Sequence, residues 1–386
     1  MEYIKDKIKN IAKENGAALV GIASRKRLSD GPPSADPEYV LKNARSVISM
    51  AVPLDKKSSR DFLNKKDWLS HCAERKRVAQ VLYGIYDRIT EFLTEKGYQS
   101  RSVDINNNYR PEKGAADVTE MTEFHPIFSH RYAAVAAGLG RLGWSGNVLT
   151  REYGALVELG TIVTDAELEP DPLLEENPCD RCKLCTAACP VQMIGNKDVV
   201  SVTVAGITDE IAVKRPNTCC WIGCTGYHGL ASNREWSNWS PYRLSALLPQ
   251  NKNELDGLNI RLQKADPQMQ LADNSFNDYR KAMFDPDWFT NTVCGNCRLV
   301  CWHDLEDRKM NLKELTGSGV VAIGLNGEHI PTTEDNITVV NTPYIVDAAV
   351  YKPHYEMMIK SSVGESVSKK LSPIDAAVLV FISGNK

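Results

Sequence analysis

Ten of the eleven cysteines fall at positions 179, 182, 185, 189, 219, 220, 224, 294, 297 and 301, all between the middle of the chain and its last quarter. Cys179-x2-Cys182-x2-Cys185-x3-Cys189-Pro190 presents four soft thiolates at the spacing of a bacterial-ferredoxin-type module. In such modules the first three thiolates bind one cubane [4Fe-4S] cluster, and the fourth, followed by proline, ligates the other. A zinc ribbon would instead pair two C-x2-C halves. The second group, Cys294-x2-Cys297-x3-Cys301, is one thiol short of a self-contained repeat. Crossed ligation assigns Cys301 to the first cluster with Cys179, Cys182 and Cys185. Cys189, Cys294 and Cys297 then need one more donor, for which Cys219 and Cys220 are the candidates. Cys224 is a third possibility, with a buried apolar role as its competitor, and Cys72 reads as core.

A disulfide framework belongs to small secreted domains, and this chain of 386 residues opens on MEYIKDKIKNIAKENG, without an export signal. Lys and Arg total 46 against 49 Asp and Glu, so the net charge of −3 supplies no global field for nucleic acid or an anionic membrane. The longest apolar runs, such as Ala376 to Ile382, fall far short of the roughly 20 residues a spanning helix needs. These features predict a cytoplasmic protein with no membrane partner.

The elements that must position the cysteines follow from periodicity. Ile4, Ile8 and Ile11 mark a first helix, and Gly16–Ser24 and Ser46–Leu54 read as buried strands. Val78, Leu82, Ile85, Ile89 and Leu93 place a long amphipathic helix between Asp67 and Gly97. The alternation implies an α/β layer. Ser129–Gly140 is Ala-rich and helical, Arg141–Asn147 is a glycine-punctuated loop, and Ala155–Asp165 is strand-like. Three prolines within 166–178 mark a linker and a boundary near 170. Residues 225–293, with Trp236 and Trp239, are expected to fold against the cysteine module. Beyond Asp307 the chain reads as short strands with an Asn326-Gly327 hairpin turn.

On these residues the chain resembles the family that joins epoxyqueuosine reductase with the reductive dehalogenases. The resemblance covers most of residues 1–310 and rests on SVISMAVPL, on AAGLGRLGWSGNVLTREYGALVELGTIVTD, on the four-cysteine motif, on a cysteine upstream of the second group, and on CGNCRLVCW. It implies an α+β fold: an α/β cobalamin-binding-like (nitroreductase-like) domain over 1–170, a two-cluster ferredoxin-like module over 171–310 with a helical insertion at 225–293, and a strand-rich segment over 311–386. It also implies a base-off cobalamin near one cluster, with Gly138, Gly140, Gly143, Trp144, Gly146 and Asn147 as candidate lining residues. In that family a lone cysteine completes the second cluster, which supports Cys219 or Cys220 without choosing between them.

The activity so implied is reduction of a small organic substrate, fed by an external donor such as a ferredoxin or flavodoxin. An electron-transfer protein without corrinoid and a tRNA epoxyqueuosine reductase are the alternatives. Where the tRNA-modifying members carry an acidic proton donor, this chain has Glu123-Phe124-His125-Pro126, so Glu123 and His125 are the candidate donors. Its strand-rich tail departs from their helical-repeat domain and argues against a tRNA partner. Dehalogenases use a tyrosine with a basic partner, for which Tyr109-Arg110, Tyr132 and Tyr153 are available.

Overall fold

The computed structural model describes residues 2–104, 109–110, 125–225, 228–233, 235–239, 248–260, 293–323 and 329–332. Helix α1 (Glu2–Glu14) leads into β1 (Leu19–Ser24), the short α2 (Arg25–Leu28) and β2 (Ser46–Pro53). Helices α3 (Lys56–Leu63) and α4 (Trp68–Glu95) follow, then β3 (Ser100–Ser102), α5 (His130–Ala136), β4 (Arg141–Leu142), β5 (Val148–Leu149) and β6 (Val157–Thr164). The expected long helix is α4: the Asp67 carboxylate accepts from Ser70 N, and Gly97 turns the chain at φ +84° just past its end.

Strands β1, β2, β6 and β3 form one sheet in that order, and every pair is antiparallel. Both faces are covered, which is why β2 is buried along almost its whole length. Ile48, Met50 and Val52 point to the layer of α1 and α4, while Val47 and Ala51 point to the Ala-rich α5. The α/β layer read from alternation is therefore a mixed α/β arrangement built on an antiparallel sheet.

Segment 166–178 carries no helix or strand but is tied down by charge. Asp171 takes Lys5 and Lys9 at 2.9 Å each and the Ile22 amide at 2.9 Å. Beyond it come α6 (Leu184–Ala187), a hairpin of β7 (Ile194–Val204) and β8 (Ile207–Lys214), and α7 (Asn217–Cys224). The hairpin turns on Ala205 and Gly206, both at positive φ, as a two-residue turn of the primed type requires. It was not anticipated, although VVSVTV-AG-ITDEIAVK carries the two runs and the turn.

The second cysteine group opens α8 (Asn296–Leu299), followed by α9 (Leu305–Thr316) and an antiparallel pair, β9 (Val320–Ile323) and β10 (His329–Thr332). Helix α9 is clamped to α3 by Arg60–Asp307 at 2.9 Å and Lys56–Asp307 at 3.1 Å. Trp302, fully buried, lies under both cations. From the expected insertion, Trp236 and Trp239 are buried in the same apolar core as α4, and Trp239 Nε1 donates to Phe62 O at 2.8 Å. The Asn326-Gly327 turn and the run Ala376 to Ile382 lie outside the described residues. Among the described residues no helix is long and apolar enough to cross a membrane.

Candidate metal centre

The first four-cysteine motif is shaped by its backbone. Asn177 Oδ1 accepts from Cys179 N at 2.9 Å, and Asp180 Oδ1 accepts from Cys182 N at 3.1 Å, two side-chain turns one after the other. Arg181 and Lys183 both sit in the left-handed region, at φ 57° and 60°, and curl the chain into the short α6, in which Cys185 is turned inward. The result is one cavity lined by Cys179, Cys182, Cys185 and Cys301 together with Trp144 and Arg308. Cys301, from the far motif, lines the same cavity as three thiols of the first.

Cys301 is held there from the sheet side. Its carbonyl accepts from Ala155 N at 2.7 Å. Gly154 stands at φ +59°, and a Cβ there would lie 2.5 Å from Trp302 C and 2.6 Å from Cys301 O. Only glycine lets the two backbones meet at this distance.

Positive groups and N–H donors face the sulfurs. Arg308 Nη1 lies 3.4 Å from Cys182 Sγ while bonding Asp180 Oδ1 at 2.7 Å. Trp144 N donates to Cys179 Sγ at 3.3 Å, and the Trp144 indole is fixed by Gly195 O at 2.9 Å. Burial, and then the neighbouring sulfurs Cys297, Cys179 and Cys182, push the Cys185 thiol up to about 12. Cys301 is raised by burial and then by Cys185. Thiols that raise one another in this way release their protons to a bound metal ion.

The second set gathers Cys189, Cys294 and Cys297. Cys189 Sγ accepts from Met193 N at 3.3 Å, and Asn147 Nδ2 reaches Cys297 Sγ at 3.6 Å. Burial raises Cys189, reinforced by Cys297 and Cys294. Helix α7 supplies the rest. Cys220 Sγ and Cys224 Sγ lie 3.7 Å apart, and Cys224 also bonds Cys294. The Cys224 bond, followed by the Asn296 and Gly295 amides, brings Cys294 down to about 6 against the opposing effect of burial.

Cys219 and Cys220, the two donors offered by the sequence, lie in different surroundings. Cys219 is fully buried in the main apolar core, and after burial its charged surroundings are Arg215, Cys220 and Asp256 rather than Cys294 or Cys297. Adjacent helical residues point about 100° apart, so Cys220 and Cys219 cannot face the same site. Cys224, one turn from Cys220, shares its face of the helix, as the i, i+4 spacing allows.

The glycine loop lies against both sets. A Cβ on Gly143 would meet Leu149 Cδ1 at 2.6 Å and Cys179 Sγ at 3.3 Å. The Cβ positions of Gly138, Gly140 and Gly146 fall against Pro172 O, Leu149 O and Lys214 Nζ. The chain itself fills the space next to these glycines. Trp144 and Asn147 touch Cys179 and Cys297.

Two cations flank this loop. Arg131 donates to Gly146 O at 3.3 Å, and half-buried Lys214 is lowered to about 8 by burial and then by Arg131. Tyr109 faces the same region, its phenol raised by burial and then by Cys224 and Cys220. Of the candidate acids, His125 is exposed and its carbonyl accepts from Arg110 N at 2.8 Å, while Glu123 lies outside the described residues. Tyr132 is half-buried and Tyr153 packs with the Ala-rich core. Among the described residues no three His, Cys, Asp or Glu side chains form a single-ion site, and Cys179, Cys182, Cys185 and Cys301 line a cavity instead.

No family model matches the chain. Among curated proteins it is 42% identical over 67 residues to the epoxyqueuosine reductase of Synechocystis, covering 17% of this chain and 23% of that one. It is 27% identical over 190 residues to the epoxyqueuosine reductase of Staphylococcus aureus, 46% of this chain and 43% of the other. The tetrachloroethene reductive dehalogenase of Desulfitobacterium hafniense is 37% identical over 67 residues, 17% of this chain and 12% of the other. The chain is similar to epoxyqueuosine reductases and reductive dehalogenases over these stretches. Each match spans less than half the length of the relative.

Proposed function

We propose that the chain is an iron-sulfur reductase carrying two [4Fe-4S] clusters. In this reading Cys179, Cys182, Cys185 and Cys301 hold the first, and Cys189, Cys294, Cys297 and a thiol of α7 hold the second. The observation that carries it is the single cavity lined by three thiols of one motif and the last thiol of another, 116 residues further on from Cys185. Four soft donors suit iron-sulfur chemistry. The clusters supply one-electron relay. The protein's part is to bury them, to donate hydrogen bonds to their thiolates from Trp144 N, Met193 N and Asn147 Nδ2, and to set positive charge beside them with Arg308.

The terminal acceptor is proposed to be cobalamin. Arg131 and Lys214, around the Gly146 turn and beside the second thiol set, fit its anionic phosphate. When bound, it supplies a strongly reducing cobalt centre. Tyr109, with Arg131 among its electrostatic neighbours, is proposed to hold the proton for the substrate, ahead of the exposed His125. The substrate is proposed to be a small organic molecule, with an external ferredoxin or flavodoxin as donor.

The names of the curated relatives favour a second reading, reduction of epoxyqueuosine. The test is anaerobic reconstitution with iron, sulfide and hydroxocobalamin. About eight irons with stoichiometric cobalt support the cobalamin reductase. Eight irons without cobalt sink it and leave an electron-transfer protein. Turnover of epoxyqueuosine-containing tRNA by the loaded protein selects the second reading.

A further inference from the structure

Cys189, Cys220, Cys224, Cys294 and Cys297 are electrostatic neighbours of one another, one thiol more than the four a cubane takes. The surplus comes from α7. Cys220 and Cys224 are one turn apart on one face of that helix, with their sulfurs 3.7 Å apart, and Cys224 reaches Cys294. The helix itself is anchored: Cys219 N bonds Pro216 O at 2.9 Å, Thr218 Oγ1 bonds Asp256 Oδ1 at 3.0 Å, and Cys219 is sunk in the core. Its two remaining thiols therefore cannot be turned away from the site without breaking the core contact.

We propose that the second cluster has two interchangeable donors on α7, Cys220 and Cys224, of which one is engaged at a time. This rests on the reading of the second thiol set as a cluster site. In the exchange one iron–thiolate bond breaks as the other forms. The incoming thiol gives up its proton, the outgoing thiolate takes one, and no electron moves. With the sulfurs 3.7 Å apart on a fixed helix, the swap needs side-chain rotation only. The cluster would thereby survive loss of either thiol to oxidation or alkylation.

The test uses the full chain, reconstituted anaerobically. Cys220→Ser and Cys224→Ser should each keep about eight irons, and the double variant about four, with the signal of the first cluster reporting an intact fold. Loss of about four irons in either single variant overturns the proposal, as does full retention in the double variant. Wild type that fails to reach about eight irons overturns the cluster reading beneath it instead. A second measurement does not depend on any variant folding. Iodoacetamide labelling of the loaded wild type, mapped by mass spectrometry, should divide one adduct between Cys220 and Cys224. Label confined to one of them contradicts the exchange.

Discussion

Arg298, between Cys297 and Cys301, donates from Nη1 to Glu158 Oε2 at 2.8 Å, and so pins the second cysteine motif to the start of β6. Arg75 of α4 stands 3.8 Å from the same carboxylate, and Arg75 and Glu158 are both buried. The sheet, the long helix and the cysteine motif therefore share one carboxylate. Burial dominates at Arg75 and lowers its pKa despite Glu158, and Arg298, at 2.8 Å against 3.8 Å, is the closer partner of the carboxylate.

Replacing Glu158 with Gln leaves two guanidiniums without their counter-charge. Breaking a buried pair from one side costs about 3–5 kcal/mol. Urea unfolding of the Glu158→Gln protein should show that loss, and an unchanged midpoint would mean that the pair adds nothing. Burial would raise the Glu158 carboxyl, but Arg298 and Arg75 outweigh it and hold it below the ordinary value. A depressed pKa contributes stability above the unfolded value and loses it as pH falls through the folded one. The wild type should therefore lose stability on the acid side of pH ~4.3, and the Gln variant should show a shallower loss there.

Gly154→Ala should empty the first site. The added methyl must enter the space occupied by Trp302 C and Cys301 O, and the left-handed backbone adds about 1–2 kcal/mol of strain. Gly97→Ala carries the same kind of strain at φ +84° with nothing within 4 Å of its Cβ. Iron analysis should find about four irons missing in the first variant and none in the second. Equal iron in both would show that the close approach at Gly154 is not what holds Cys301.

Arg308→Gln removes a cation 3.4 Å from Cys182 Sγ. Positive charge and hydrogen bonds to cluster sulfurs favour the reduced state. If the contact is worth ~1 kcal/mol more to that state, the first cluster's potential should fall by roughly 40 mV. Redox titration followed by electron paramagnetic resonance reads the shift, and an unmoved potential would remove Arg308 from the tuning of this cluster.

Asp209→Asn should loosen the approach to the first motif. This buried carboxylate accepts from Arg141 Nη2 at 2.6 Å, from Leu142 N at 2.9 Å and from Asn177 Nδ2 at 2.9 Å, and Asn177 in turn orients Cys179 N. Breaking the pair costs about 3–5 kcal/mol. Thermal melting of the loaded protein should fall accordingly, and a melting temperature equal to wild type would contradict the role.

The meeting of Cys179, Cys182, Cys185 and Cys301 in one cavity was legible because cluster chemistry dictates both residue type and local spacing. Val78, Leu82, Ile85 and Ile89 gave α4 for a similar reason, since a 28-residue amphipathic helix repeats its signal many times. The choice among Cys219, Cys220 and Cys224 was not legible. It depends on the rotational phase of α7, which is set by tertiary packing of Cys219 and Ile222 into the core. The Glu158, Asp209 and Lys214 contacts join residues 32 to 140 positions apart or rest on a buried face, and no local pattern encodes such partners. The β7–β8 hairpin is encoded locally, by two alternating runs on either side of the Ala205-Gly206 turn.

The crossed assignment of thiols is the central claim, and pairing single cysteine variants tests it most directly. Wild type, Cys179→Ser, Cys301→Ser, Cys189→Ser and Cys297→Ser would each be reconstituted anaerobically and compared by iron content and electron paramagnetic resonance. The account predicts about eight irons in wild type and about four in each variant. It also predicts that Cys301→Ser shares the residual spectrum of Cys179→Ser, and Cys189→Ser that of Cys297→Ser. If Cys301→Ser matches Cys297→Ser instead, each motif holds its own cluster and the crossed arrangement is wrong.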